Sequence, residues 1–279
     1  MEREGDVDPE GERDGGPRSG ETVESDGGDE IPDDERDALE TIAHGAVLTS
    51  GGVAGQRALI AATEFALTRG LGPTAYGVYA LAWRIAQLLS RLVTFGGVPA
   101  IQRYLPEYVD DADRQGAVAG LAYATTVGFG LAIAVGVWLA APAINARTVT
   151  EPAFAGTMRA FGGLVGLLGV VMVASAIFRA VGSARGEILF NKLLRPGVRL
   201  VGAVGALALG YSVVGVAGAI VAATGLLAVA AVPISASVTG VRPSLRGARA
   251  EARRFYDHAA PVAMSSLGKV FQNRVDVLL

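Results

Sequence analysis

The chain has 279 residues, of which 51% are hydrophobic, and its 24 Lys and Arg face 27 Asp and Glu. A positive mean hydropathy, +0.41, is unusual for a soluble domain of ordinary composition. With no cysteine there is no disulfide framework, thiol nucleophile or thiolate zinc site, and only two histidines, His44 and His258, are available and lie far apart.

The net charge of −3 conceals two unlike parts. Residues 1–40 hold 17 acids against four arginines, and the remainder holds 10 acids against 20 bases. Residues 1–37 are dense in Gly, Asp and Glu and cannot bury enough apolar surface to offset the entropy of ordering, which predicts a disordered acidic tail.

A bilayer core of about 30 Å needs about 20 mostly apolar helical residues. Seven segments meet that length, at about 42–68, 74–96, 117–141, 154–181, 188–211, 214–239 and from 259 onward. They predict an all-α integral membrane protein in four stretches: the tail at 1–37, a six-helix lobe at 38–240, a basic connector at 241–258, and the start of a seventh helix at 259–279. Pro73, Pro142, Pro152 and Pro261 fall at or near predicted starts and stops, while Pro196 and Pro233 fall inside spans as candidate kinks. The seventh span reaches Leu279 within an apolar run and without a flanking charge, so it reads as cut short.

Basic residues in short loops are retained on the cytoplasmic side. With the N-terminus inside, the inner loops hold Arg103, Arg114, Arg179, Arg185, Lys192 and Arg195, then Arg242, Arg246, Arg249, Arg253 and Arg254. The outer loops hold only Arg69 and Arg147, so the asymmetry supports a cytoplasmic N-terminus in a multi-pass cell-membrane protein. The cluster from Arg242 to Arg254 has two readings, a topology signal or a short basic amphipathic helix on the inner leaflet. Glycines four apart, at Gly51 and Gly55, Gly116 and Gly120, and Gly162 and Gly166, predict close helix packing.

A charge near the centre of a membrane helix costs roughly 2.5–3.5 kcal/mol, so each one is a candidate site. In the first span Arg57 and Glu64 are two turns apart, with Gln56 and Thr63 beside them. In the second, Arg84, Gln87, Arg91 and Thr94 share a face. In the seventh, Ser265, Lys269, Gln272, Asn273 and Asp276 share one, with Arg274 opposite on a straight helix. Two readings stay open. Arg57 with Glu64 and Lys269 with Asp276 form intramembrane ion pairs while Arg84 and Arg91 snorkel, or the three stripes line one hydrated, electropositive cavity suited to a phosphate or diphosphate. Arg159, Lys192, Arg195 and Arg199 are read as snorkelling residues nearer span ends and are left out of the site.

The sequence contains no Walker A loop, H-E-x-x-H or G-x-S-x-G, so neither an enzyme nor a cofactor is expected. The run RGLGPTAYGVY at 69–79, GGVPAIQRYLPEY at 96–108, RRFYDHAAPVAM leading into the seventh span and NRVDVLL within it resemble, in that order, the polysaccharide and oligosaccharide flippases. These form one family of the multidrug, oligosaccharidyl-lipid and polysaccharide exporter superfamily. The resemblance implies two six-helix lobes around a cavity open alternately to each side, through which a lipid-diphosphate-linked sugar headgroup passes. It further implies that Arg57, Glu64, Arg84, Arg91, Lys269, Arg274 and Asp276 line that cavity. The expected partners are a lipid-linked saccharide, membrane lipids and a second lobe or partner chain, with no nucleic acid and no metal. A cation-coupled drug exporter using Glu64 and Asp276, and a truncated product that inserts without transporting, are the alternatives.

Overall fold

The computed structural model describes the backbone of residues 33–148 and 151–275, and the side chains of residues 49–147 and 151–265. Packing divides the chain into two units, 1–43 and 44–279, and the account below concerns the second. The described residues are helical throughout, joined by turns and short extended links, with no strand among them. Residues 1–32 of the expected tail, and Asp276, lie outside the described residues, as do the side chains of Lys269 and Arg274.

The first helix, α1 (Asp33–Ser90), is two helices joined at Gly72, whose φ of 73° and ψ of 172° leave the helical region. Pro73 supplies no N–H to the preceding turn and pushes its neighbour towards extended backbone, and glycine accepts the positive φ without a Cβ clash. The break folds the two parts together. Along a straight helix Glu64 and Tyr76 would be about 18 Å apart, yet their side chains are hydrogen bonded at 2.9 Å. The second part ends at Ser90, earlier than the expected residue 96, because residues 91–96 form turns that close with Phe95 (φ 42°) and Gly96 (φ 75°).

The short helix α2 (Gly97–Glu107) follows, then α3 (Ala112–Thr148) and α4 (Ala153–Ala180). Pro142, expected near a helix end, lies inside α3, whereas Pro152 caps α4 as its position suggested. A Cβ on Gly130 of α3 would meet the Gly166 Cα of α4 at 2.6 Å, and one on Gly162 would meet Val137 at 3.1 Å, so glycine sets the distance between these helices. The Gly116 and Gly120 pair serves a different contact. It accommodates the extended link at 242–244, with Gly116 accepting a 2.9 Å hydrogen bond from the Ser244 N–H.

The expected uniform helix from 188 is instead α5 (Ala184–Glu187), a π-helical stretch (Ile188–Leu194) and α6 (Arg195–Ala208). Pro196 removes the N–H that an α-helix would send back to the Lys192 carbonyl, and a wider turn before it adapts the hydrogen-bond ladder to that loss. Helices α7 (Val213–Thr239) and α8 (Ala248–Val275) complete the described chain. Pro261 lies inside α8, so the basic segment from Ala248 runs as one helix into the expected seventh span.

Three helices among the described residues are long and apolar enough to cross a membrane: Ala112–Arg147, Ala153–Ala180 and Val213–Thr239. Apolar on every side, α4 is the central helix, and Phe154, Phe161, Leu164, Val171 and Ile177 are sealed inside. Helix α3 is nearly as hydropathic but turns Leu131, Val135, Trp138 and Leu139 outward, as α7 does Leu226 and Val229. An apolar surface of this extent around helices with internally satisfied backbones suits lipid as its solvent.

Candidate functional site

Where the two parts of α1 fold together they meet α6 and enclose an ion pair. Arg199, 5% exposed, places its guanidinium 2.6 Å from Glu64 Oε1, and its Nε donates to the Tyr79 hydroxyl at 2.9 Å. Its charged plane lies 4.0 Å from the centre of the Trp83 ring, a cation–π contact. The Tyr76 hydroxyl donates to Glu64 Oε2 at 2.9 Å, so both carboxylate oxygens are engaged. Phe161 of α4 meets the Tyr79 and Trp83 rings edge-on and closes the cluster against the core.

This assembly corrects two sequence expectations. Glu64 pairs with Arg199 and not with Arg57, because the bend at Gly72 and the approach of α6 bring a buried cation to the carboxylate. Arg199 does not snorkel, because it sits at the middle of its predicted span and is enclosed by aromatic rings. With Nε spent on Tyr79, Nη2 spent on Glu64 and the side chain only 7% exposed, Arg199 is committed to this pair, which stabilises the junction of α1 and α6.

Of the other predicted residues, Arg57, Arg84 and Arg91 are exposed, and none has an ion-pair or hydrogen-bond partner among the described residues. They remain available to an anion. The expected companion polar residues partly turn away: Thr63 is fully buried and bonds back to the Leu59 carbonyl, and Thr94 is buried beyond the end of the helix. The stripe in the second span therefore reduces to Arg84, Gln87 and Arg91, all exposed.

A second polar cluster joins α2, the start of α3 and the start of α8. Arg254 donates to the Tyr108 hydroxyl at 2.5 Å and to Glu107, and Tyr108 in turn donates to Glu251 at 2.9 Å. Arg114 approaches Glu251 at 3.6 Å. Burial, then the hydrogen bond to Glu251, pushes the Tyr108 phenol above its ordinary value, and the Glu107 carboxylate holds the Arg254 guanidinium more firmly protonated. Read from sequence, Arg114 counts towards topology, and Arg254 belongs to a cluster with two readings, a topology signal or a short basic amphipathic helix. The tyrosines at 104 and 108, one turn apart and facing a run of arginines, were the available clue.

No group of three or more His, Cys, Asp or Glu able to hold a metal ion occurs among the described residues. The family model described as polysaccharide biosynthesis protein matches residues 42–279. No curated protein and no solved structure matches the chain.

Proposed function

The chain belongs to the polysaccharide biosynthesis protein family, and we propose that it moves a lipid-linked oligosaccharide or polysaccharide precursor across the cell membrane. Members of that family are transporters, not enzymes. In this reading the N-terminus is cytoplasmic, the chain forms six transmembrane helices and a seventh membrane segment from residue 259, and a second lobe supplies the opposite wall of the cavity. Arg57, Arg84 and Arg91 grip the phosphates, and Lys269, Arg274 and Asp276 add to the same electropositive path. Glu64 takes a positioning role there, through Arg199.

The observation that carries the reading is the exposure of Arg57, Arg84 and Arg91, on the two parts of α1 and the turn after it, beside exposed apolar residues such as Ile60, Phe65 and Leu81. Each charge costs roughly 2.5–3.5 kcal/mol in a bilayer unless water or an anion meets it. A diphosphate headgroup crossing the apolar interior needs such partners, and the lipid tail stays in the bilayer. A cation-coupled drug exporter would instead need Glu64 open to a proton or sodium ion, and both of its oxygens are occupied by Arg199 and Tyr76.

Deletion of the gene in its native organism tests this. Surface glycans should fall while lipid-linked precursors accumulate on the cytoplasmic side. An unchanged glycan and precursor profile would overturn the proposal.

A further inference from the structure

Beside the second polar cluster, between α2 and the first turns of α8, lies an open cavity of about 460 Å³. It is lined by Arg103, Tyr104, Arg253, Arg254, Asp257 and His258 together with Ala250. The floor is aromatic. The Tyr104 ring has the Arg254 guanidinium at 5.1 Å and the Arg103 guanidinium at 5.7 Å from its centre, and the His258 ring meets it edge-on with 5.8 Å between ring centres.

The three arginines are held differently. Arg254 is fixed by Tyr108 and Glu107, so its direction is set before any ligand arrives. Arg253 reaches Asp257 only at 3.8 Å, with both side chains largely exposed, an arrangement of little energetic weight. Arg103 is exposed and has no ion-pair partner among the described residues. Arg254 is paired with Glu107, so Arg103 and Arg253 are the less committed guanidiniums on a hollow whose acidic lining residue is Asp257. Guanidiniums match the oxygens of a phosphate bidentately, and the volume suits a headgroup-sized ligand.

The position says what carries the phosphate. The hollow lies where charged residues gather around the ends of α2 and α8, next to α3, whose following residues present a long apolar surface. Thr125 of α3 is hydrogen bonded to Tyr256 of α8 at 2.7 Å, just before the exposed Val127 and Leu131, so a phosphate on the hollow with acyl chains along α3 would use both features and a water-soluble phosphate only the first. From this juxtaposition we infer that Arg103, Arg253 and Arg254 form a binding site for the phosphate of an anionic membrane lipid, separate from the arginines proposed to handle the transported headgroup. The site depends on the chain lying in a membrane and not on which molecule it transports.

The test uses the full chain in nanodiscs of phosphatidylcholine, with phosphatidylglycerol titrated in and bound lipid counted by native mass spectrometry. Arg103→Ala with Arg253→Ala should weaken phosphatidylglycerol retention roughly a hundredfold, the effect of losing two charge-assisted contacts to one phosphate. Arg246→Ala with Arg249→Ala, the same charge change outside the hollow, should leave retention unchanged. Equal loss in both pairs would overturn the site in favour of diffuse surface charge. Millimolar inorganic phosphate should not displace the lipid, and full displacement would assign the hollow to free phosphate. Glycan export is read in parallel, so a failed lipid site and a failed transport reading give different patterns.

Discussion

Replacing Glu64 by Ala leaves the Arg199 guanidinium between Tyr79 and Trp83 with no anion. Arg199 is 5% exposed, and breaking a buried pair from one side costs about 3–5 kcal/mol because the remaining charge is uncompensated. Replacing Arg199 instead leaves Glu64, whose side chain is 36% exposed and keeps the Tyr76 hydrogen bond. That carboxylate can reach water, but the loss of the cation–π contact with Trp83 adds about 2 kcal/mol. The decisive variant is the double replacement Glu64→Leu with Arg199→Met, which removes both charges and keeps apolar volume. Such replacements of buried pairs are commonly neutral or stabilising by about 1–4 kcal/mol, so the double variant should melt at or above the wild-type temperature. The Glu64→Ala single should fall by on the order of 10 °C. Thermal unfolding of the detergent-solubilised chain measures all four forms. A Glu64→Ala protein that melts like wild type, or a double variant no better than the singles, refutes the buried pair and returns Arg199 to a snorkelling role.

Three further outcomes follow from the geometry. Arg84→Ala with Arg91→Ala should abolish export, measured as surface glycan, while membrane insertion measured by fractionation is unchanged. Gly130→Leu should force α3 away from α4, since even a Cβ there meets Gly166 Cα at 2.6 Å, and overpacking of this kind costs about 1–3 kcal/mol in thermal stability. For Glu187, burial pushes the carboxyl up, but the hydrogen bonds from Asn191 and Arg179 and the charges of Arg179 and Lys192 outweigh it and hold it below its ordinary value. Its stabilising contribution is therefore complete above the ordinary glutamate value and is lost as the pH falls through the lower folded one. Glu187→Gln should remove that part of the acid dependence in a melting series.

Much of the helical content was legible because apolar runs of bilayer length leave few alternatives, and the break at 72–73 was legible because Gly-Pro has few helical solutions. Other features were not. The π-helical stretch has no periodicity signal distinguishable from an ordinary helix, and Pro261 inside α8 shows that a proline marks a boundary only when neighbouring contacts do not hold the helix together. Arg199 was misread although the usable signal was present. It lies at the midpoint of the predicted span 188–211, the position from which a side chain reaches neither interface. Its pairing with Glu64, 135 residues away, depended on tertiary packing that a helical wheel does not contain. The exposure of Arg57, Arg84 and Arg91 followed the pattern more closely, since exposure depends on the helix face and not on a distant partner.

The π-helical stretch before α6 has a consequence for how the chain tolerates change. It sets the rotational phase at which α6 leaves the preceding turn, and hence the direction in which Arg199 points. Adding or removing one residue turns everything downstream on the helix by about 100°. Inserting a residue into α6 between Arg195 and Arg199 would therefore swing the guanidinium away from Glu64, with no chemical change at either charged residue. Natural length variation among relatives should accordingly be found in the turns at 209–212 and 240–247, and be absent between 188 and 199.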